Sequence, residues 1–366
     1  MLSTTWAGTL NELCTRDYKK KTPFKRIVAI VGPKNVGKST FARELCRRWQ
    51  ATFKGKERVA LLDTDLGRPE FTLPGMVSVH SFTMDDPMQH KLEGAIFLGE
   101  DDPSVRPETY IQTIERLSQS ALANFDLICV NTHGWFAGLG QDVLEAVLLS
   151  VKATDVVQII PENKILSLGS LLKQSTEFTI WTLVPAKEGR QRESKSSRER
   201  RFVEHFTRGV MHAVGLKRVR IRYPHGIIDH ALPPRHALLA LNASIVGLSK
   251  GEDETDPENF LGLGLVCSVD PDRELIYVQT PVKFEELQYC RVLTCATSVR
   301  VPLGLFPMRF KPEKSGDEKI ALEDFELAQD EDVVVPYLSS CKLVGFGSIQ
   351  PHRGVLKRRR LDDSAA

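Results

Sequence analysis

The chain has no C-x-x-C pair, no long apolar run and no marked charge of either sign. Each absence excludes a class of protein. The seven cysteines, at positions 14, 46, 129, 267, 290, 295 and 341, are scattered and odd in number, so neither a disulfide framework nor a zinc site is indicated. That usage fits a reducing intracellular compartment. No stretch approaches the roughly 18 uninterrupted apolar residues of a membrane span, and the N-terminus lacks a charged-then-apolar signal pattern. No membrane partner is expected. A net charge of +2 provides no global field for a polyanion, so any affinity for nucleic acid must come from local basic patches. What remains is a chain of 366 residues, 42% hydrophobic and 26% charged, long enough for about two domains with ordinary cores.

The most informative segment is Gly32, Pro33, Lys34, Asn35, Val36, Gly37, Lys38, Ser39 and Thr40, which follows the apolar run 27–31. It is a complete G-x-x-x-x-G-K-S/T phosphate loop between a strand and a helix. Its glycines let backbone N–H groups wrap a phosphate, Lys38 reaches the terminal phosphates, and Ser39 offers a hydroxyl to Mg²⁺ at a helix N-terminus. The chain is expected to bind a nucleoside triphosphate.

Strand and helix patterns alternate through the first half. Strands are expected at 27–31, 59–63, 127–131, 156–160 and 178–183, and helices at 38–48, 108–124, 139–151, 164–172 and about 201–214. After about residue 216 the pattern changes to short apolar runs, at 261–269, 275–280 and 290–297, while 251–259 and 312–332 read as solvated charged loops. The expected fold is α/β, a P-loop NTPase-type, mostly parallel sheet with flanking helices, followed by a smaller β-rich C-terminal domain. The expected divisions are 1–25, 26–216 and 217–366.

The end of the second strand narrows the chemistry. Asp63 leaves that strand beside the phosphate loop, where it can hold Mg²⁺, and Asp65 can accept a proton from an attacking hydroxyl. The plainer alternative is one turn-capping and one merely exposed aspartate. A GTPase would carry an N-K-x-D motif, but Asn163-Lys164 continues into Ile165-Leu166. The deviant loop of the MinD-like ATPases would need lysine where Pro33 stands.

The phosphate loop, the D-x-D-x-G-x-P-E-F-T-x-P-G run from Asp63 to Gly75, Phe97-Leu98-Gly99 with Pro103 and Pro107-Glu108-Thr109-Tyr110, and Val130-Asn131-Thr132-His133-Gly134-Trp135 with Gly138-Leu139-Gly140 together resemble the eukaryotic polynucleotide 5′-hydroxyl kinases. The P-E-F-T-x-P-G form is closest to their nucleolar branch, which acts in pre-ribosomal RNA processing. The resemblance is firm over about 26–206 and weak at 261–266, 277–281 and 301–305, where ordinary β-rich core is the preferred reading of each segment taken alone.

The resemblance implies transfer of the ATP γ-phosphoryl group to the 5′-hydroxyl of RNA or DNA, with Mg²⁺ placed by Ser39 or Thr40 and Asp63. Lys38 would act on the phosphates and Asp65 as the base. Trp135 would stack on a terminal base, although a tryptophan there can equally fill a helix–sheet interface. Thr132 would touch phosphate. The segment 187–201 is locally basic, and Arg198 and Arg201 are the first candidates for a lid that neutralises transition-state charge; a solvated charged loop is the alternative. The run Lys357-Arg358-Arg359-Arg360 fits nuclear import or RNA contact. Nucleolar location and an endoribonuclease partner follow from the resemblance.

The sequence departs from that pattern at two places. Arg68 stands where the family tends to carry glutamine and would grip a phosphate or disturb the acceptor end; 31 residues precede Gly32, where the family carries a larger β-domain. The competing reading is a non-catalytic scaffold for an RNA-processing nuclease. A small-metabolite kinase is a third reading, opposed by Trp135 and the second domain.

Overall fold

The computed structural model describes residues 5–15, 25–54, 56–82, 89–135, 138–161, 178–186, 195–223, 238–251, 253–302 and 305. The first sheet has seven strands: β1 (Arg26–Val31), β2 (Val59–Asp63), β3 (Met76–Phe82), β4 (His90–Phe97), β5 (Leu127–Asn131), β6 (Asp155–Ile159) and β7 (Thr179–Leu183). Their order is β4-β3-β2-β5-β1-β6-β7. The run from β2 to β7 is parallel, and β3 and β4 extend it antiparallel.

Among the described residues, four helices accompany this sheet: α1 (Trp6–Thr15), α2 (Lys38–Phe53), α3 (Pro107–Asn124) and α4 (Leu139–Ser150). In β1, Ile27, Ala29 and Val31 face a core shared with Tyr110 and Ile114 of α3 and Val143 and Leu144 of α4. Val28 and Ile30 face the other way, against Leu10 and Leu13 of α1 and Phe41, Leu45 and Trp49 of α2. A strand covered on both faces has no polar alternation, which explains its uninterrupted apolar sequence. The α2 residues recur every four positions along one helical face. Each such fully buried side chain contributes about 1.5–3 kcal/mol.

The second sheet comprises β8 (Val210–Gly215), β9 (Arg220–Arg222), β10 (Ser244–Lys250), β11 (Phe260–Asp270), β12 (Leu275–Thr280) and β13 (Cys290–Cys295), in the order β8-β12-β11-β10-β13-β9. Helix α5 (Lys195–Thr207) leads into it, and the short α6 (Phe284–Leu287) precedes β13. Ile245, Leu263 and Leu265 of this sheet pack against Met76, Ala95 and Phe97 of the first, with Phe202 and Phe206 of α5. The amides of Thr297 and Ser298 donate to the Gly99 carbonyl at 2.8 and 3.1 Å. The two sheets are therefore joined through core and backbone.

Several elements differ from the sequence expectation. The helix expected over 201–214 ends at Thr207, because Gly209 lies against the backbone of Thr280 and Val210 then pairs with that residue in β8. The second sheet thus begins at Val210, ahead of the change in pattern near 216. The α1 helix, β3, β4, β9 and β10 were not expected. The helix expected at 164–172, the charged segment 312–332 and the basic run 357–360 lie outside the described residues. Among the described residues, no helix is long and apolar enough to cross a membrane.

Candidate active site

Between β1 and α2 the chain turns tightly enough to require left-handed backbone at Asn35 (φ 68°) and Gly37 (φ 99°). Gly37 caps α2 with no side-chain hydrogen bond, so the first amides of the helix face outward as an anion site. A Cβ on Gly134 would come within 2.9 Å of the Lys34 nitrogen, so the segment after β5 braces the loop at backbone contact. Lys38 is only 7% exposed, and its Nζ donates to the Pro33 carbonyl at 3.1 Å. Burial draws its pKa down to about 8, against the opposing pull of Asp65; Lys34 and Arg68 push it further down.

The carboxylates stand beside this lysine at the end of β2. Asp63 is fully buried and accepts from the Glu70 amide at 2.5 Å, Asn131 Nδ2 at 2.9 Å and the Asp65 amide at 3.3 Å. Burial pushes its pKa up to about 7, and the neighbouring Asp65 charge adds to the rise. Asp65 Oδ1 accepts from the amides of Gly67 and Arg68 at 3.2 and 3.1 Å, which fixes the carboxylate. Arg68 reaches back to the phosphate loop, with Nη1 donating to Asn35 Oδ1 at 2.5 Å.

Asn131 links the two halves of the site. Its Nδ2 donates to Asp63 and also lies 3.3 Å from Ser39 Oγ, while its buried Oδ1 has no protein partner. Sequence reasoning gave Asn131 no role. The parallel register places it directly opposite Asp63, a relation between residues 68 positions apart that no local pattern shows.

The remaining expected residues occupy varied positions. Thr132 is buried, with its hydroxyl donating to the Ile30 carbonyl at 2.8 Å. His133 is buried behind Lys38; burial, with the Lys38 charge adding, brings its pKa down to about 4. Its Nδ1 accepts from the Trp135 amide at 3.2 Å. Trp135 is half-buried against the α3/α4 core and lies over Gly140. Arg198 Nη1 is 4.0 Å from Asp101, with its buried Nε unpartnered. Arg201 donates to the carbonyls of Pro69, Glu70 and Thr72 at 3.0, 3.3 and 2.7 Å, tying α5 to the loop that covers Asp63.

A phosphate loop on a parallel sheet, with a buried carboxylate at the end of a neighbouring strand, places the molecule in the P-loop class of nucleotide-binding proteins. Residues 32–208 match the family model for the P-loop of mRNA cleavage and polyadenylation factor CLP1, and 210–300 match the NOL9-like C-terminal domain. The chain is 29% identical to polynucleotide 5′-hydroxyl-kinase NOL9 of Arabidopsis thaliana over 304 residues, covering 70% of this chain and 81% of the relative. It is 25% identical to polynucleotide 5′-hydroxyl-kinase GRC3 of Candida glabrata over 351 residues, covering 76% of this chain but only 54% of that longer relative. The structure of a wild-type Clp1p–Pcf11p complex superimposes with a TM-score of 0.57 at 16% identity, covering 78% of each chain. Homologues named polynucleotide 5′-hydroxyl-kinase NOL9 and GRC3 thus match much of the chain, whose two parts match a CLP1-type P-loop domain and a NOL9-like C-terminal domain.

Proposed function

We propose that the protein transfers the γ-phosphoryl group of ATP to the 5′-hydroxyl end of RNA during pre-ribosomal RNA processing. The observation that carries this reading is the convergence of Lys38, Ser39, Asp63 and Asp65 between β1 and β2. The 5′-oxygen attacks the γ-phosphorus, the bond to the β–γ bridging oxygen breaks, ADP leaves, and the hydroxyl proton passes to Asp65. The two backbone amides on Asp65 Oδ1 hold the carboxylate ready for this role, so positioning supplies much of the rate. Lys38 neutralises the terminal phosphates from a buried position, where its charge acts strongly.

The donor set fits Mg²⁺. This ion takes one or two carboxylates together with substrate phosphates and water, and the buried Asp63, the Ser39 hydroxyl and the unpartnered Asn131 Oδ1 supply hard oxygens in one place. Ser39 and Asp63 would hold it, and when bound it neutralises charge on the β- and γ-phosphate oxygens. Arg68 adds a permanent cation at the edge of the loop, and Arg198 a second from α5. Trp135 would carry the terminal base, with Thr132 supporting the strand end beneath it. The likeness to the NOL9 and GRC3 relatives supports a nuclear setting for this chain, and a nucleolar location and an endoribonuclease partner are part of the proposal.

The test is transfer of labelled γ-phosphate to matched RNA oligonucleotides ending in 5′-hydroxyl or 5′-phosphate. Label on the 5′-hydroxyl RNA alone is the expected result. No transfer by folded protein to either RNA, while ATP still binds, would favour the nucleotide-holding scaffold.

A further inference from the structure

The N-terminal helix reaches the nucleotide site. Trp6, the first residue of α1, lies across the phosphate loop: a Cβ on Gly37 would come within 2.8 Å of the far edge of its indole. Its Nε1 donates to the Val184 carbonyl, just beyond β7, at 2.8 Å. Its ring meets Phe41, in the first turn of α2, edge-on with centroids 5.3 Å apart. The indole is thus fixed at three points while remaining only half-buried.

Sheet order gives this position a meaning. The carboxylates and Asn131 follow β2 and β5, on one side of β1; β6 and β7 lie on the other. A triphosphate cradled by the loop points its γ end towards Lys38, Asp63 and Asp65. Its opposite end, carrying ribose and base, then emerges towards β6 and β7, where Trp6 stands. No other described tryptophan is placed there: Trp49 and Trp181 are fully buried, and Trp135 follows β5.

We propose that Trp6 is the nucleobase platform of the ATP site, so that the N-terminal helix completes the site from the side opposite the reacting phosphate. This rests on the nucleotide-binding reading above. A stacked indole contacts the π-face of a base and leaves its Watson–Crick edge unread, so Trp6 contributes affinity without selecting one purine over another. The hydrogen bond to Val184 sets the ring in advance and limits the ordering needed on binding.

The test compares calorimetric titration of full-length wild type, Trp6→Ala and Trp6→Phe with ATP, GTP and inorganic tripolyphosphate, each with Mg²⁺. Thermal unfolding of the same samples establishes that the variants fold. Trp6→Ala is expected to weaken ATP and GTP alike by about ten-fold, with tripolyphosphate nearly unchanged, and Trp6→Phe to keep most of the affinity. Equal losses for ATP and tripolyphosphate would make Trp6 a support of the loop and overturn the platform. Unchanged ATP affinity in Trp6→Ala would overturn it too, while leaving the nucleotide site intact. Wild type that binds none of the three ligands would instead overturn the nucleotide-binding reading, and the platform with it.

Discussion

Asn131 donates to Asp63 Oδ1 at 2.9 Å and lies 3.3 Å from Ser39 Oγ, so one side-chain amide joins the end of β2 to the first turn of α2. Those are the two groups assigned to Mg²⁺. Groups that orient metal ligands typically cost about 10–100-fold in affinity or activity when removed. Asn131→Ala should therefore raise the half-saturating Mg²⁺ concentration of phosphoryl transfer by about that factor. A Mg²⁺ curve identical to wild type would remove Asn131 from the site's support.

Arg201 is committed to structure as well as to charge. Three carbonyls of the 69–72 loop accept from it, and that loop supplies the Glu70 amide to Asp63. Hydrogen bonds from a charged donor contribute about 1.5–3 kcal/mol each where well made. Arg201→Ala should lower unfolding stability by roughly 2 kcal/mol, with faster proteolytic cleavage in the loop, and Arg201→Lys should restore only part of the loss. Wild-type stability in Arg201→Ala would mean that the loop does not depend on it.

Much of this arrangement was legible in the sequence. Strands β2 and β5 were found to the residue because a parallel strand buried on both faces is a plain apolar run. The phosphate loop declared itself because its chemistry is local. Strand β4 was missed because its first four residues, His90 to Glu93, are exposed and only the end turns inward. The role of Arg201 was also hidden: its carbonyl partners lie more than 125 residues away, whereas its sequence neighbours are charged and read as solvent-facing. Asn131 and Trp6 likewise depend on register and helix placement.

Two buried histidines give the fold an acid-sensitive side. Burial lowers His80 to about 3 and His133 to about 4, so both are neutral in the folded protein. The unfolded chain protonates them near pH 6.5; their contribution is complete above that pH and falls as pH drops towards 4, by up to about 1.4 kcal/mol per pH unit for each. Asp63, with its raised pKa, works in the opposite sense, so the informative comparison is between proteins. Denaturant unfolding at pH 7.5 and pH 5 should show a shallower loss for His80→Gln than for wild type. Parallel losses would contradict this origin.

The contact between Gly134 and Lys34 makes a further prediction. An alanine methyl would press on the loop backbone, 2.9 Å from the Lys34 nitrogen and 2.6 Å from its Cγ. Gly134→Ala should weaken ATP binding about ten-fold by shifting the phosphate-binding amides, an expectation of the same order as the loss of one charge-assisted hydrogen bond. Titration of wild type and variant with ATP checks it; equal affinities would mean that the loop yields without cost.

Asp65 is the proposed base of the phosphoryl transfer to RNA, and its carboxylate is set by two backbone amides. Asp65→Asn keeps an oxygen for the amides of Gly67 and Arg68 while removing the proton acceptor. The deciding measurement is the single-turnover rate of γ-phosphate transfer to 5′-hydroxyl RNA by wild type and Asp65→Asn, with ATP affinity measured in parallel. Transfer by Asp65→Asn should be slower by about 10²–10⁴-fold with ATP binding retained. Transfer at the wild-type rate by Asp65→Asn would contradict the role of Asp65 as base.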